Sequence, residues 1–159
     1  MARNGIDIAV NASDRYILFT FRGILNGRQM LDATTAAYAG LSKPWLYNRV
    51  YDLRAFINVV SLEDLQAQIK QWEGIVGRRH APMRFGIVTD DPVRMGRAKA
   101  YGPLFPHLDV EVFPSVEEAI AWLKTEATPL ASERTRILLS GGGGGGGGGN
   151  GRRKPAPVK

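Results

Sequence analysis

The sequence predicts an α/β protein with a five-stranded mixed, mostly parallel sheet and four helices. Three observations carry this. The run from Arg84 to Leu123 reads as strand, acidic turn, helix, strand and capped helix, which is two β-α units in succession. Strand-type and helix-type apolar periodicities alternate along the chain. Most helical stretches begin on a side chain able to cap them and stop at glycine or proline.

Ile6, Ile8 and Val10 alternate with Asp7 and Ala9, a half-buried first strand. Asn11-Ala12-Ser13-Asp14-Arg15 is turn chemistry. Tyr16 to Phe21 is a nearly continuous apolar run, a more deeply buried strand paired with the first as a hairpin. Asn26 and Gln29 have the spacing of a capping box. The helix they open continues through Met30, Ala33, Ala37 and Leu41, and Gly40 and Pro44 stop it. Arg49 to Leu53 is a short third strand.

Ser61 and Asp64 cap the clearest helix, whose stripe is Leu62, Leu65, Ile69, Trp72 and Val76, with Gly77 just past its end. Trp72 and Leu65 read as core. Arg84 to Thr89 is the fourth strand, with Ile87 inward. Asp91 caps a helix that has Pro92 at its first position, and Gly102-Pro103 ends it. Leu108, Val110 and Val112 alternate with Asp109 and Glu111 in an edge-like fifth strand. Ser115 and Glu118 cap the last helix, whose stripe is Val116, Ala119, Ile120 and Leu123. The order β-β-α-β-α-β-α-β-α is a hairpin followed by three right-handed parallel crossovers.

The 159 residues divide into one domain over 1–125 and a Gly-rich, basic C-terminal tail over 126–159. The net charge of +6 is unevenly spread. Residues 127–159 carry six of the 21 Lys/Arg and one of the 15 Asp/Glu, so residues 1–126 are close to neutral. The basic character therefore belongs to the tail and gives no nucleic-acid-binding face to the domain. Nine glycines at 141–149 precede no helix and lack a Gly-Lys-Ser/Thr ending, so they read as a linker and not a phosphate loop. The tail as a whole is expected to be disordered. No apolar run reaches the roughly 18 residues of a spanning helix. The first residues lack a signal-peptide stretch, so a cytoplasmic location is expected. The absence of cysteine excludes disulfides, thiolate metal sites and a cysteine nucleophile.

The sequence holds no G-x-S-x-G, HExxH or Walker signature, and no nucleophile–base pair is visible. His80 and His107 flank turns outside any metal-spaced cluster. No metal and no cofactor are expected. Asp90-Asp91-Pro92 places two carboxylates at a strand end. They could hold a cation or orient a hydroxyl; the plainer reading is an N-cap at Asp91 with Asp90 as a solvated neighbour favoured by the helix dipole. Arg94, Arg97 and Lys99 share one helix, either as an anion-binding face or as a solvated one. Phe56, in the loop after the third strand, suits the wall of a ligand pocket.

Three segments, Val50-Tyr51-Asp52-Leu53-Arg54, Ile87-Val88-Thr89-Asp90-Asp91-Pro92 and Val112 to Leu123, together with the element order, resemble the SpoIIAA-like branch of the STAS/SEC14 proteins. The resemblance covers most of residues 5–125 and implies the STAS/SpoIIAA-like fold. It implies either an anti-anti-sigma type of regulator or a lipid-carrying SEC14-like domain, in both cases without enzymatic activity. In anti-anti-sigma factors, a partner kinase phosphorylates a serine at the start of the helix after the third strand. Counted from Asp52, Ser61 falls there. Its flanks, Val60 and Leu62-Glu63, differ from the aspartate and Ser-Gly of that signature.

The expected function is a non-enzymatic binding or regulatory domain. It would hold a small apolar or amphipathic ligand, or a protein partner, at the C-terminal ends of strands three and four. Asp52, Arg54, Phe56, Asp90 and Arg94 would line that site, with Phe56 walling a concavity outside the main core. The alternative is a partner-switching regulator phosphorylated at Ser61. A homodimer is admitted, as is weak nonspecific anion binding by the tail. Because the tail offers little apolar surface to offset its ordering entropy, truncation after Glu126 should leave the melting temperature within a few degrees of the full chain. A large drop in a calorimetric scan would show that Ile137-Leu138-Leu139 docks on the domain.

Overall fold

Alternating apolar side chains need one covered face, and continuous apolar runs need two. The computed structural model, which describes residues 3–79, 82–105 and 108–125, meets both needs with helices on the two sides of one sheet. The expectations for His80, His107 and the tail at 126–159 lie outside the described residues. The strands are β1 (Gly5–Asn11), β2 (Tyr16–Arg22), β3 (Asn48–Asp52), β4 (Met83–Val88) and β5 (Leu108–Phe113). The helices are α1 (Gly27–Ala39), α2 (Leu62–Val76), α3 (Pro92–Tyr101) and α4 (Val116–Leu123). Short 3-10 turns at Pro44–Leu46 and Gly102–Leu104 follow α1 and α3, each with proline early in the turn, where its missing N–H costs nothing.

The strands lie side by side in chain order. β1 and β2 form the antiparallel hairpin, with Ile8 opposite Phe19. β2, β3, β4 and β5 are parallel, with Phe19 beside Tyr51 and Tyr51 beside Ile87. Three parallel steps in one direction put α1, α2 and α3 on the same face, as crossovers of one hand must. There Ile17, Phe19 and Phe21 of β2, Tyr51 of β3 and Met83 and Phe85 of β4 meet Met30 and Tyr38 of α1 and Trp72 and Val76 of α2 in the main core.

The caps form as the sequence requires. Asn26 and Gln29 close a reciprocal box on α1, as do Ser61 and Asp64 on α2. Asp91 accepts from the backbone of Val93 and Arg94 at the start of α3, and Ser115 from Glu118 at the start of α4.

The other face carries α4 alone. Val50, Val88 and Ala119 are its buried centre, with Leu18, Phe113, Val116 and Leu123 around them. Gly86 of β4 permits this contact, since an added Cβ would lie 3.3 Å from that of Ala119. Arg84, buried on the same face, donates to the Trp122 and Thr125 carbonyls at 2.6 and 3.0 Å and so closes the end of α4. Several apolar side chains are less covered than their pattern implies. Ile8 and Val10 of the edge strand β1 remain exposed. Leu65 and Ile87, which read as core, are only partly buried, because both line a cavity.

Candidate functional site

The cavity lies between α2 and α3, on the main-core side of the sheet, and opens at the C-terminal ends of β3 and β4. Its volume is about 210 Å³. Its floor is Tyr51, Phe85, Ile87 and Val110, which are strand residues of one face. α2 contributes Leu65 and Gln68; α3 contributes Val93, Arg94, Arg97, Ala98 and Tyr101. The loop after β3 closes the remaining side with Leu53 and Phe56 to Val60.

That loop is fixed by backbone bonds. Leu53 donates to the Val88 carbonyl at 2.8 Å, Gly23 to that of Ala55 at 2.8 Å, and Ile57 to that of Gly23 at 3.0 Å. Gly23 and Phe56 thereby extend the parallel β2–β3 ladder by one bridge. Gly23 has φ of +73°, and a Cβ there would fall 2.0 Å from Asn4 Oδ1, which accepts from the Ile24 N–H. Only glycine suits both demands. Arg94 ties the loop to α3. Its Nη1 and Nη2 donate to the Leu53 and Phe56 carbonyls at 2.7 and 2.8 Å, with its Cζ 5.5 Å from the Phe56 ring centre.

The five residues expected at one site divide between two. Phe56 and Arg94 line the cavity; Asp52, Arg54 and Asp90 do not. Along β3 successive side chains change face, so Tyr51 points into the cavity and Asp52 to the α4 side. There Arg54 grips Asp52 at two points, 2.9 and 2.8 Å. Burial pushes the Asp52 carboxyl up, but the Arg54 hydrogen bonds and charge outweigh it and hold the carboxyl below its ordinary value. Asp90 is exposed and adds to the negative field around Arg54 together with Glu117. Phe56 also departs from expectation. It is 3% exposed and packs edge-on to Phe21 at 6.5 Å, so it joins the main core as well as walling the cavity. Its backbone bridge to Gly23 turns the loop inward, which loop position alone does not reveal.

Ser61 is an exposed N-cap. Its hydroxyl accepts from the Asp64 N–H at 3.1 Å, and the Asp64 carboxylate accepts from the Ser61 N–H at 3.2 Å. A phosphate on this hydroxyl would gain the helix dipole but meet Glu63 and Asp64 in the same turn. Arg97 lines the cavity mouth and is exposed, as is Lys99.

A chain of buried polar groups runs behind Tyr51 and Gln68 of the cavity wall. Arg49 of β3 is 2% exposed, yet among the described residues no carboxylate lies within ion-pair distance. Its Nε donates to the Tyr38 hydroxyl at 2.8 Å and its Nη1 to that of Tyr51 at 3.0 Å. The Tyr38, Tyr51, Trp72 and Phe85 ring centres lie 5.0 to 5.9 Å from its Cζ. Tyr51 then donates to Gln68 Oε1 at 3.0 Å. Arg49 can only donate, so the Tyr51 oxygen accepts from it. Here the Gln68 amide presents its oxygen to Tyr51 and its nitrogen elsewhere, and Thr34 is a further hydrogen-bonding neighbour of the Tyr51 hydroxyl. That nitrogen is buried and has no hydrogen-bond partner, a defect worth about 1–3 kcal/mol if left unmet. The sequence signal for Gln68 is a polar residue on the apolar stripe between Leu65 and Trp72. For Arg49 it is a charged residue in register with Ile17 and Phe85.

Two outcomes follow from this geometry. Phe56→Ala should cost about 3–5 kcal/mol in chemical denaturation, as for a buried phenylalanine; a loss under 1 kcal/mol would place the ring outside the core. Burial raises the Tyr51 phenol to about 12 against an ordinary value near 10, and raises that of Tyr38 as well. Folded protein thus keeps these protons longer than unfolded protein does. Their stabilising contribution is complete below about pH 10 and is lost as pH rises through about 12. Phenolate absorbance from both residues should therefore appear together with loss of the folded circular-dichroism signal, and ionisation well before unfolding would contradict their burial.

No family model and no curated protein matches the chain. Among solved structures, it is similar to an uncharacterized protein of the DUF3478 family with a SpoIIAA-like fold from Shewanella loihica PV-4. That pair has 19% identity over 77% of this chain and 95% of the other, with a TM-score of 0.53. An anti-sigma factor antagonist from Mycobacterium paratuberculosis is also similar, with 19% identity over 76% of this chain and 96% of the other and a TM-score of 0.49. At such identity the likeness concerns architecture, and it agrees with the element order and sheet described above: this chain has the SpoIIAA-like α/β fold.

Proposed function

We propose that this domain binds a small apolar or amphipathic molecule in the cavity between α2 and α3, and that it acts by binding and not by catalysis. The observation that carries this reading is the cavity itself. It is about 210 Å³, larger than the roughly 150 Å³ at which an apolar cavity takes up benzene. It is lined mostly by apolar side chains, with a few polar groups converging on it, the usual make-up of a small-molecule site. It sits outside the carboxyl ends of parallel strands, where open α/β sheets receive ligands.

The rim adds a second consideration. Ile57, Val59 and Val93 are 61%, 58% and 67% exposed around the opening. A ligand seated beneath them would change what these side chains pack on, and so could regulate the approach of a protein partner. The partner-switching alternative at Ser61 draws less support, because Glu63 and Asp64 oppose a phosphate there. Among the described residues no helix is long and apolar enough to cross a membrane.

Propylbenzene tests the cavity directly. Titration into the labelled full chain should give saturable methyl shifts at Leu65, Ile87 and Val110. Ala98→Phe, which fills the space from α3, should abolish them while the protein stays folded. Shifts that are absent, or confined to Ile8 and Val10 on the β1 edge, would sink the reading.

A further inference from the structure

Among the described residues, the charged side chains that line the cavity are Asp91, Arg94 and Arg97, all from α3 or its cap. Two of them are already engaged. The Asp91 carboxylate accepts from the Val93 and Arg94 N–H groups at 2.8 and 3.3 Å and so starts the helix. Arg94 commits both terminal nitrogens to the Leu53 and Phe56 carbonyls. Arg97 is exposed at the mouth, and among the described residues it has neither an ion-pair nor a hydrogen-bond partner.

One turn further along α3 stands Tyr101. It is partly buried and lines the same cavity, and its hydroxyl makes no hydrogen bond among the described residues. Residues four apart on a helix share a face, and a long side chain leans back over the turn before its own. Arg97 and Tyr101 therefore bring two unused donors to one place beside the opening.

The charge behind the wall has the same sign. Arg49 donates to the hydroxyl of Tyr51, a floor residue, and has no carboxylate at ion-pair distance among the described residues. In so apolar a setting a charge is felt farther than in water. Asp91 is the opposing charge, but it lies six residues before Arg97, about 9 Å along the helix axis. An anion is favoured beside Arg97, and a cation is not. The floor residues Phe85, Ile87 and Val110, and Leu65 on α2, have no polar side-chain atom to receive a charged head. A head drawn in among them would lose its water without compensation, so it stays at the rim.

We infer, resting on the cavity reading above, that the ligand is an amphipathic monoanion bound head-outward. Its carboxylate meets Arg97 and Tyr101, and its apolar body lies on Phe85, Ile87 and Val110. A guanidinium can grip a planar carboxylate at two points, and the phenol adds a third. A cavity of roughly 150 Å³ takes up benzene, so one of about 210 Å³ holds an apolar body of about eight carbons.

Calorimetric titration of the full chain with octanoate, octylammonium and propylbenzene tests charge and pose together. Octanoate should bind about tenfold tighter than octylammonium at low salt. The gap should narrow as salt is added, because the head is at the rim. In the wild-type protein the Arg97 side-chain Nε resonance should shift with octanoate and stay put with propylbenzene. Arg97→Gln should erase the octanoate preference and leave propylbenzene binding intact, and Arg97→Lys should keep part of the preference. Tyr101→Phe, which removes only the hydroxyl, should weaken octanoate about threefold to tenfold. Lys99→Gln removes an equal charge from α3 outside the cavity lining and should leave the preference whole. Equal affinity for the two heads would overturn the assignment. So would a silent Arg97 Nε, a preference that survives at Arg97→Gln, one lost at Lys99→Gln, or full octanoate affinity at Tyr101→Phe. If propylbenzene also fails to bind the wild type, the cavity reading falls as well; if propylbenzene binds, only the head-group assignment falls.

Discussion

Arg49 brings a full charge into the layer between the sheet and its helices, with no carboxylate at ion-pair distance among the described residues. Burial works against that charge, and the Tyr38 and Tyr51 oxygens hold the guanidinium protonated. The groups that solvate it come from four elements: Tyr38 from α1, Tyr51 from β3, Trp72 from α2 and Phe85 from β4. None of the four can move far without exposing a charge to an apolar surround. The aromatic edge-to-face contacts of Tyr51 with Phe19, Phe21 and Phe85 then spread the constraint across the sheet. A hydrophobic residue of similar size would avoid the desolvation cost, so the arginine is poorly explained by stability alone.

The cavity exists because the two ends of the helix layer are built differently. α1 and α2 bury large side chains, including Met30, Tyr38, Trp72 and Val76. α3 has no fully buried residue, and it lines the cavity with Val93, Arg94, Arg97, Ala98 and the partly buried Tyr101. Beneath it, Ile87 and Val110 are only partly buried. Interiors otherwise pack without voids, so a space of this size beneath a short helix reflects the side chains α3 offers and not a loose core. Arg94 keeps the space open by bonding the loop carbonyls, which fixes α3 at a set distance from Phe56.

The fold was legible before the structure because its signals are local. Asn26 with Gln29, Ser61 with Asp64, Asp91 before Pro92 and Ser115 before Glu118 each announce a helix start from residues three or fewer apart. β5 was read to the residue, and the other elements to within a residue or two, since the alternation of one strand depends on nothing beyond itself. The location of a concavity at the ends of β3 and β4 also followed, from the order of the strands.

What tertiary structure decided is which residues meet there. Asp52 and Tyr51 are neighbours in sequence, but the pleat sends one to the α4 face and the other into the cavity, and the face depends on which side each crossover helix takes. Phe56 reads as a loop residue until a bridge to Gly23, 33 positions earlier in the chain, turns it into the core. Gln68 reads as a flaw in a stripe until Tyr51 is seen to donate to its amide oxygen, with Arg49 donating to Tyr51 in turn. The sequence by itself determined the elements, their order and the fold, because short-range hydrogen bonding and apolar period set them. The floor of the cavity was decided in three dimensions, because donors and acceptors on different elements, such as Tyr51 of β3 and Gln68 of α2, meet only once the elements pack together.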